Sequence, residues 1–258
     1  MIVSEDAEME ITENSIHPEK TLPNDALLEL TDQLLKVQGK MVNPGGFRTI
    51  FPLSPEVAGG YEAKLRVTIS PSREMMAQYI QSDNNMSSEI RKLYLSLIEN
   101  PTFVRMISLD ILTDDRATVI GTSELHLINN GEELIAIDPQ MATRFSYQQE
   151  YDILKGVGVP KADMPLDTNN IIKLDYGEQW YTNSFLVNNE QRGKGIGRVL
   201  FRTGNTVAKI LGARDRVVWS STEDAKAFYT KQGATIETYN IGSSTKSVPM
   251  IHLQARGN

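Results

Sequence analysis

The chain is 258 residues long and 40% hydrophobic, enough for one large domain or one domain with an appendage. It contains no cysteine, which excludes disulfides, a thiol nucleophile and a Cys-ligated zinc, and fits a cytoplasmic setting. The net charge of −7 sits in residues 1–30, which hold eight acids and one lysine; the remainder is neutral overall and offers no basic body for nucleic acid.

No apolar run is long enough to span a bilayer, and the first residues lack the basic and apolar regions of a signal peptide. Residues 1–24 are acidic, carry Pro18 and Pro23, and read as a flexible tail. Asn24 or Asp25 can cap a helix over 26–41, with Leu27, Leu30, Leu34, Leu35 and Val37 as its apolar face. Asn43-Pro44-Gly45-Gly46 stops it, and a second break at 55–60 sets a helical arm, 25–60, apart from a body, 61–258. In the body, 64–70 alternates like a strand, and 71–81 and 87–99 read as helices, the second with Ile90, Leu93, Tyr94, Leu97 and Ile98 on one face. Residues 103–112 and 118–128 form a hairpin around Thr113-Asp114-Asp115-Arg116. Residues 129–175 are rich in turn signals and read as an insert with a short helix at 147–154. A strand over 180–187 follows.

That strand ends in Phe185-Leu186-Val187 and feeds Gln191-Arg192-Gly193-Lys194-Gly195-Ile196-Gly197. Apolar residues then recur at Ile196, Val199, Leu200, Val207, Ile210 and Leu211 until Gly212, which is the signature of a helix packed on one face. A strand, a glycine loop and a helix start make a phosphate site. The first N–H groups of a helix have no partner within it, the dipole adds positive charge, and glycine lets the backbone approach an anion. The glycines at 193, 195 and 197 fit neither the dinucleotide-binding Gly-x-Gly-x-x-Gly nor the P-loop. Between Glu190 and Arg216, seven basic residues face two acidic ones; Arg192 is the phosphate candidate, while Arg198 and Arg202 read as a solvated face. Val217-Val218-Trp219 then gives a short buried strand, and 235–241 and 248–254 a closing hairpin.

Arg192, Gly195 and Gly197, as Arg-x-x-Gly-x-Gly, resemble the acyl-CoA pyrophosphate loop of the GNAT superfamily of N-acetyltransferases. Ala225-Lys226-Ala227-Phe228-Tyr229-Thr230-Lys231-Gln232-Gly233 resembles that family's Ala…Phe-Tyr…Gly helix. The resemblance covers about 182–234. It implies a mixed α/β fold, with a twisted, largely antiparallel central sheet flanked by helices. It implies acetyl-CoA as co-substrate and an amine of a small molecule or protein as acceptor, with no metal. Main-chain groups of Phe185, Leu186 and Val187 would bond the pantetheine, and Arg192, Gly193, Lys194, Gly195, Ile196 and Gly197 would hold the diphosphate. Tyr229 would protonate the leaving thiolate. The insert would shape the acceptor pocket. Thr222 stands where the family often has Asn, Ala234 where it often has an aromatic, and Asn189 where it often has Pro.

The general base is open at this level. Glu124 and His126 alternate onto one strand face, and Asp175 and Glu178 precede the strand before the loop. Glu124 and Glu178 are the preferred bases, with a water chain as the alternative. His17 and His252 lack a metal-like partner spacing. A second function class is a non-catalytic acyl-CoA-binding or protein-interaction module.

Overall fold

The computed structural model describes residues 24–58, 60, 62–99, 102–113, 119–129, 133–137, 185–187, 191–218, 223–241 and 244–253. The elements in chain order are α1 (Asn24–Lys36), α2 (Gln38–Met41), β1 (Phe47–Leu53), β2 (Ala63–Ile69), α3 (Arg73–Ser82), α4 (Ser88–Glu99), β3 (Phe103–Thr113), β4 (Val119–Asn129), β5 (Leu134–Ile137), β6 (Phe185–Val187), α5 (Ile196–Ile210), β7 (Asp215–Val217), α6 (Glu223–Lys231), β8 (Thr235–Ile241) and β9 (Ser244–His252). The strands form one sheet in the order β1-β2-β3-β4-β5-β7-β9-β8, with β6 paired to β4 beside that path. β5 runs parallel to β7; the other described pairs are antiparallel. This is the mixed α/β fold with a largely antiparallel sheet that the sequence implied. Among the described residues, no helix is long and apolar enough to cross a membrane. The acidic tail, the 147–154 helix, Glu178 and Thr222 lie outside the described residues.

Period-2 alternation places the core. Leu65, Val67 and Ile69 of β2, Ile107, Leu109 and Ile111 of β3, and Leu125 and Leu127 of β4 point to one face and are almost fully buried. Helix α5 covers that face, and α1 packs on α5 through Leu27, Leu30 and Leu34. Burying each such leucine stabilises by about 2 kcal/mol. Leu35, expected on the same stripe, is 43% exposed; the 27-30-34 spacing already fills the contact and turns it outward. Helices α3 and α4 pack together over the opposite face through Met76, Leu97 and Phe103.

Two strands correct the sequence reading. The expected helical arm contains β1, an edge strand paired residue for residue with β2 from Phe47↔Ile69 to Leu53↔Ala63. Pro52 is tolerated in β1 because that strand lies at the sheet edge. The expected insert contains β5. It pairs with β4 from His126↔Ile137 to Asn129↔Leu134, while β6 pairs with the same edge of β4 from Gly121↔Val187 to Ser123↔Phe185. β5 and β6 are therefore two pieces of one strand line, and residues 138–184 are inserted within that line rather than before it. The second strand of the last hairpin also starts earlier than expected, at Ser244.

Helix α3 begins at Ser72, whose hydroxyl accepts from the Met75 N–H. Glu74 in that first turn has its pKa lowered, first by a hydrogen bond from its own backbone, then by Ser72, Arg73 and Arg105, against the opposing effect of desolvation. A depressed folded pKa adds stability above the unfolded pKa, and that stability is lost as pH falls through the folded value. The stability gap between the native chain and Glu74→Gln should therefore be small but constant at neutral pH and should close on acidification below the ordinary carboxylate range. Denaturant titrations across pH 2–7 read this; a gap that widens in acid would contradict it.

Candidate active site

The loop predicted from glycine spacing forms a sharp entry to α5. Gly193 has φ +74° and Gly195 φ +89°, both in the left-handed region. Gly195 is the N-cap of α5, with no side-chain capping bond, and its carbonyl accepts the first intrahelical bond from Val199 at 3.1 Å. No acidic residue occupies the first turn. The N-cap of α5 is thus a glycine with no side chain to cap the helix, next to the basic Arg192 and Lys194. Arg192 is exposed, and the Lys194 ammonium donates to the Gln191 side-chain oxygen at 3.2 Å. Gly197 is helical, and a Cβ there would touch Phe228 at 3.5 Å and Phe185 at 3.7 Å, which is ordinary contact. Its role is close packing, unlike that of Gly193 and Gly195.

Strand β6 leads toward this loop along β4. Its neighbour on the other side would be β7, yet β7 pairs in parallel with β5 only as far as Ile137↔Val217. Among the described residues β6 pairs with β4 alone. On its other side the β6 backbone has no strand partner among the described residues.

The predicted residues divide between the two faces of the sheet. Phe185 points to the α5 face and touches Phe228 and Tyr229, with ring centroids at 5.8 and 6.1 Å. Tyr229, on α6, is 5% exposed and also packs on Phe201 at 5.3 Å and Phe228 at 5.2 Å. Loop, Phe185 and Tyr229 are thus brought together. Glu124 lies on the opposite face. Thr122 pairs with Leu186, so Glu124, two residues along β4, has its Cα about 8 Å from that of Leu186 by strand spacing. Glu124 and Leu125 fall between the β5 and β6 ladders. The Glu124 carboxylate and the His126 Nε2 are 3.1 Å apart, with side chains 15% and 12% exposed, and the Phe103 ring meets His126 edge-on. Alternation predicted that shared face; it did not predict the bond. Beside them Arg66 donates twice to Asp110, and Thr122 donates to the other Asp110 oxygen at 2.9 Å.

Two polar centres escaped sequence reasoning. His252 on β9 bridges Asp215 at 2.7 Å and Glu237 at 3.0 Å, stitching three strands. Arg216 on β7 is 1% exposed and reaches into α5. A charged residue inside a strand gave no signal of either. Among the described residues no cluster of His, Asp or Glu could hold a metal. A cleft of about 600 Å³ between α1 and α5, lined by Leu27, Thr31, Arg202 and Gln232 among others, includes none of the loop residues.

The segment that holds the left-handed glycine entry to α5 also lies within a family match. Residues 167–234 match the acetyltransferase (GNAT) family. The GNAT match takes in β6, the loop, α5, β7 and α6, and leaves β1–β5 and the final hairpin outside it. No curated protein matches the chain. A solved structure described as an acetyltransferase of the GNAT family from Desulfovibrio desulfuricans is similar, at 11% identity and a TM-score of 0.37, over 74% of this chain and 99% of that one.

Proposed function

We propose that the protein is an acetyl-CoA-dependent N-acetyltransferase that moves an acetyl group directly to a primary amine of a small molecule or a protein. The observation that carries the reading is the loop with its two left-handed glycines at the start of α5, a helix that packs on β6. In this reading the N–H groups of residues 193–197, with Arg192 and Lys194, hold the diphosphate. Main-chain groups of Phe185, Leu186 and Val187 hold the pantetheine amides along β6. Thr222 and Glu178 keep the sequence-based roles of cofactor contact and base candidate.

The thioester then lies where both faces of the sheet are reachable. Glu124, at the break between β5 and β6, takes the proton from the acceptor ammonium, and His126 fixes the carboxylate. The amine nitrogen bonds to the acyl carbon, the carbon–sulfur bond breaks, Tyr229 gives its phenolic proton to the departing thiolate, and the second proton shed by the new amide nitrogen returns to Tyr229 through water. No covalent enzyme intermediate is needed. Burial of Tyr229 among three rings favours a rival reading in which it only packs and the chain is a non-catalytic acyl-CoA-binding module.

Calorimetric titration with acetyl-CoA, followed by thiol release across an amine panel, separates these readings. Binding with amine-dependent thiol release is expected; binding with no release from any amine favours the module, and no binding ends both. Tyr229→Phe should lower turnover by about 100-fold, the scale of a lost general acid, while the acetyl-CoA Kd changes by no more than about twofold. Unchanged turnover would remove Tyr229 from the mechanism.

A further inference from the structure

Arg216 is a whole cation placed inside the core. It lies on β7, pairs in register with Ile251 and Ala136, and is 1% exposed. Its side chain enters α5, where one nitrogen, Nη1, donates to the Phe201 carbonyl at 2.9 Å and to Asn205 Oδ1 at 2.8 Å. Its guanidinium carbon sits 4.3 Å from the centre of the Phe201 ring, within cation–π range. The helix leaves room for it. A Cβ on Gly204 would come within 2.9 Å of Arg216 Nη1 and 3.1 Å of Leu125. Contacts thus come from Phe201 and Asn205 of α5, and Gly204 between them leaves the space.

Burying a guanidinium is costly, and a well-packed apolar residue is often as stable or more so. What the arginine adds is a fixed, planar fork that holds one ring in one place. That ring is Phe201, and Phe201 packs on Tyr229 and Phe228. The chain of contacts therefore runs from β7 through Arg216 and Phe201 to Tyr229.

We propose that Arg216 is a positioning residue that, by clamping Phe201, sets the Tyr229 ring in the orientation from which its hydroxyl meets the leaving sulfur. The clamping rests on geometry alone; the catalytic consequence rests on the reading of Tyr229 as the acid given above. Arg216 touches neither donor nor acceptor. Its loss leaves the loop residues in place but lets the Phe201 wall relax, and a small displacement of a reacting group is enough to slow chemistry strongly.

The test uses the full-length chain with ¹³C-labelled tyrosine, the Tyr229 resonance being assigned from its loss in Tyr229→Phe. Arg216→Met keeps bulk and removes the fork; Arg216→Lys keeps charge and removes the fork, and serves if the first variant does not fold. Either should shift or broaden the Tyr229 resonance and leave that of Tyr94, on the far side of the sheet, unchanged. Thiol release from acetyl-CoA, with the best amine of the panel or with water, should fall in kcat by roughly 10- to 100-fold, with KM for acetyl-CoA within about twofold. In a double-mutant cycle Arg216→Met should cost little more once Tyr229→Phe is present. An unmoved Tyr229 resonance overturns the proposal whatever the kinetics. So does a loss confined to acetyl-CoA affinity, or full additivity in the cycle. A moved resonance with normal turnover in both Arg216→Met and Tyr229→Phe instead removes the acid role of Tyr229 and leaves the clamp standing.

Discussion

Gly195→Val should weaken acetyl-CoA binding by at least about tenfold, or about 1.4 kcal/mol, with a modest loss of stability. Gly195 sits at φ +89° and ψ −7° as the N-cap of α5. The left-handed region costs an L-residue roughly 1–2 kcal/mol, and a β-branched side chain more. Valine relieves that strain by turning the peptide, which rotates the N–H groups at the helix start away from a common centre. The control is Gly197→Ala. That position is helical, and its new Cβ makes only ordinary contact, so binding should change by less than about threefold, within the range of volume-tolerated packing changes. Calorimetry on both variants decides the matter. Equal affinity in Gly195→Val and the native chain would mean that the loop does not hold the diphosphate.

The second large effect concerns Arg105. It lies on β3, 6% exposed, and donates to the carbonyls of Met41 at 3.0 Å and Asn43 at the end of α2. Burial lowers its pKa, and Glu74 partly offsets this. One side chain thus satisfies two carbonyls where the N-terminal helices turn into β1. Arg105→Ala leaves both acceptors without that donor and opens space beneath the turn. The expected loss is about 3 kcal/mol, the scale of a broken buried charge-assisted pair. For a chain of this size that lowers the Tm by roughly 6–12 °C. Hydrogen exchange should accelerate in α1 and α2 while α5 and α6 keep their protection. A uniform loss of protection would show that Arg105 supports the whole sheet instead.

Glycines and periodicity made the glycine loop and the helix it opens legible. Gly193 and Gly195 are needed where the backbone turns left-handed, and Ile196, Val199, Leu200 and Val207 repeat with the helix they belong to. Alternation likewise placed Glu124 and His126 together. What stayed hidden depends on tertiary partners. β5 is four residues long and reads as part of a turn-rich stretch; only its pairing on both sides with β4 and β7 makes it a strand. Arg105 and Arg216 occupy inward positions of their strands, where a charged residue ordinarily signals the solvent face. A β-bulge between Phe103 and Arg105 shifts the first, and Gly204 makes space for the second.

The break in the strand line carries a cost that grows slowly. Ser123 and Phe185 are neighbours in the sheet but 62 positions apart in sequence. Closing so long a loop costs a few kcal/mol of chain entropy, yet doubling or halving its length changes that by only about 0.6 kcal/mol. The chain-entropy cost is thus almost indifferent to the number of residues between the two strands, whereas β6 can dock only after a distant stretch of chain has returned. Folding should therefore nucleate in the β3–β4 hairpin, whose partners at Leu112 and Val119 are near in sequence, and register the edge beside the glycine loop late. In chain entropy alone, a change in the number of residues between β5 and β6 therefore costs little, and the delay it imposes falls on β6 rather than on the β3–β4 hairpin.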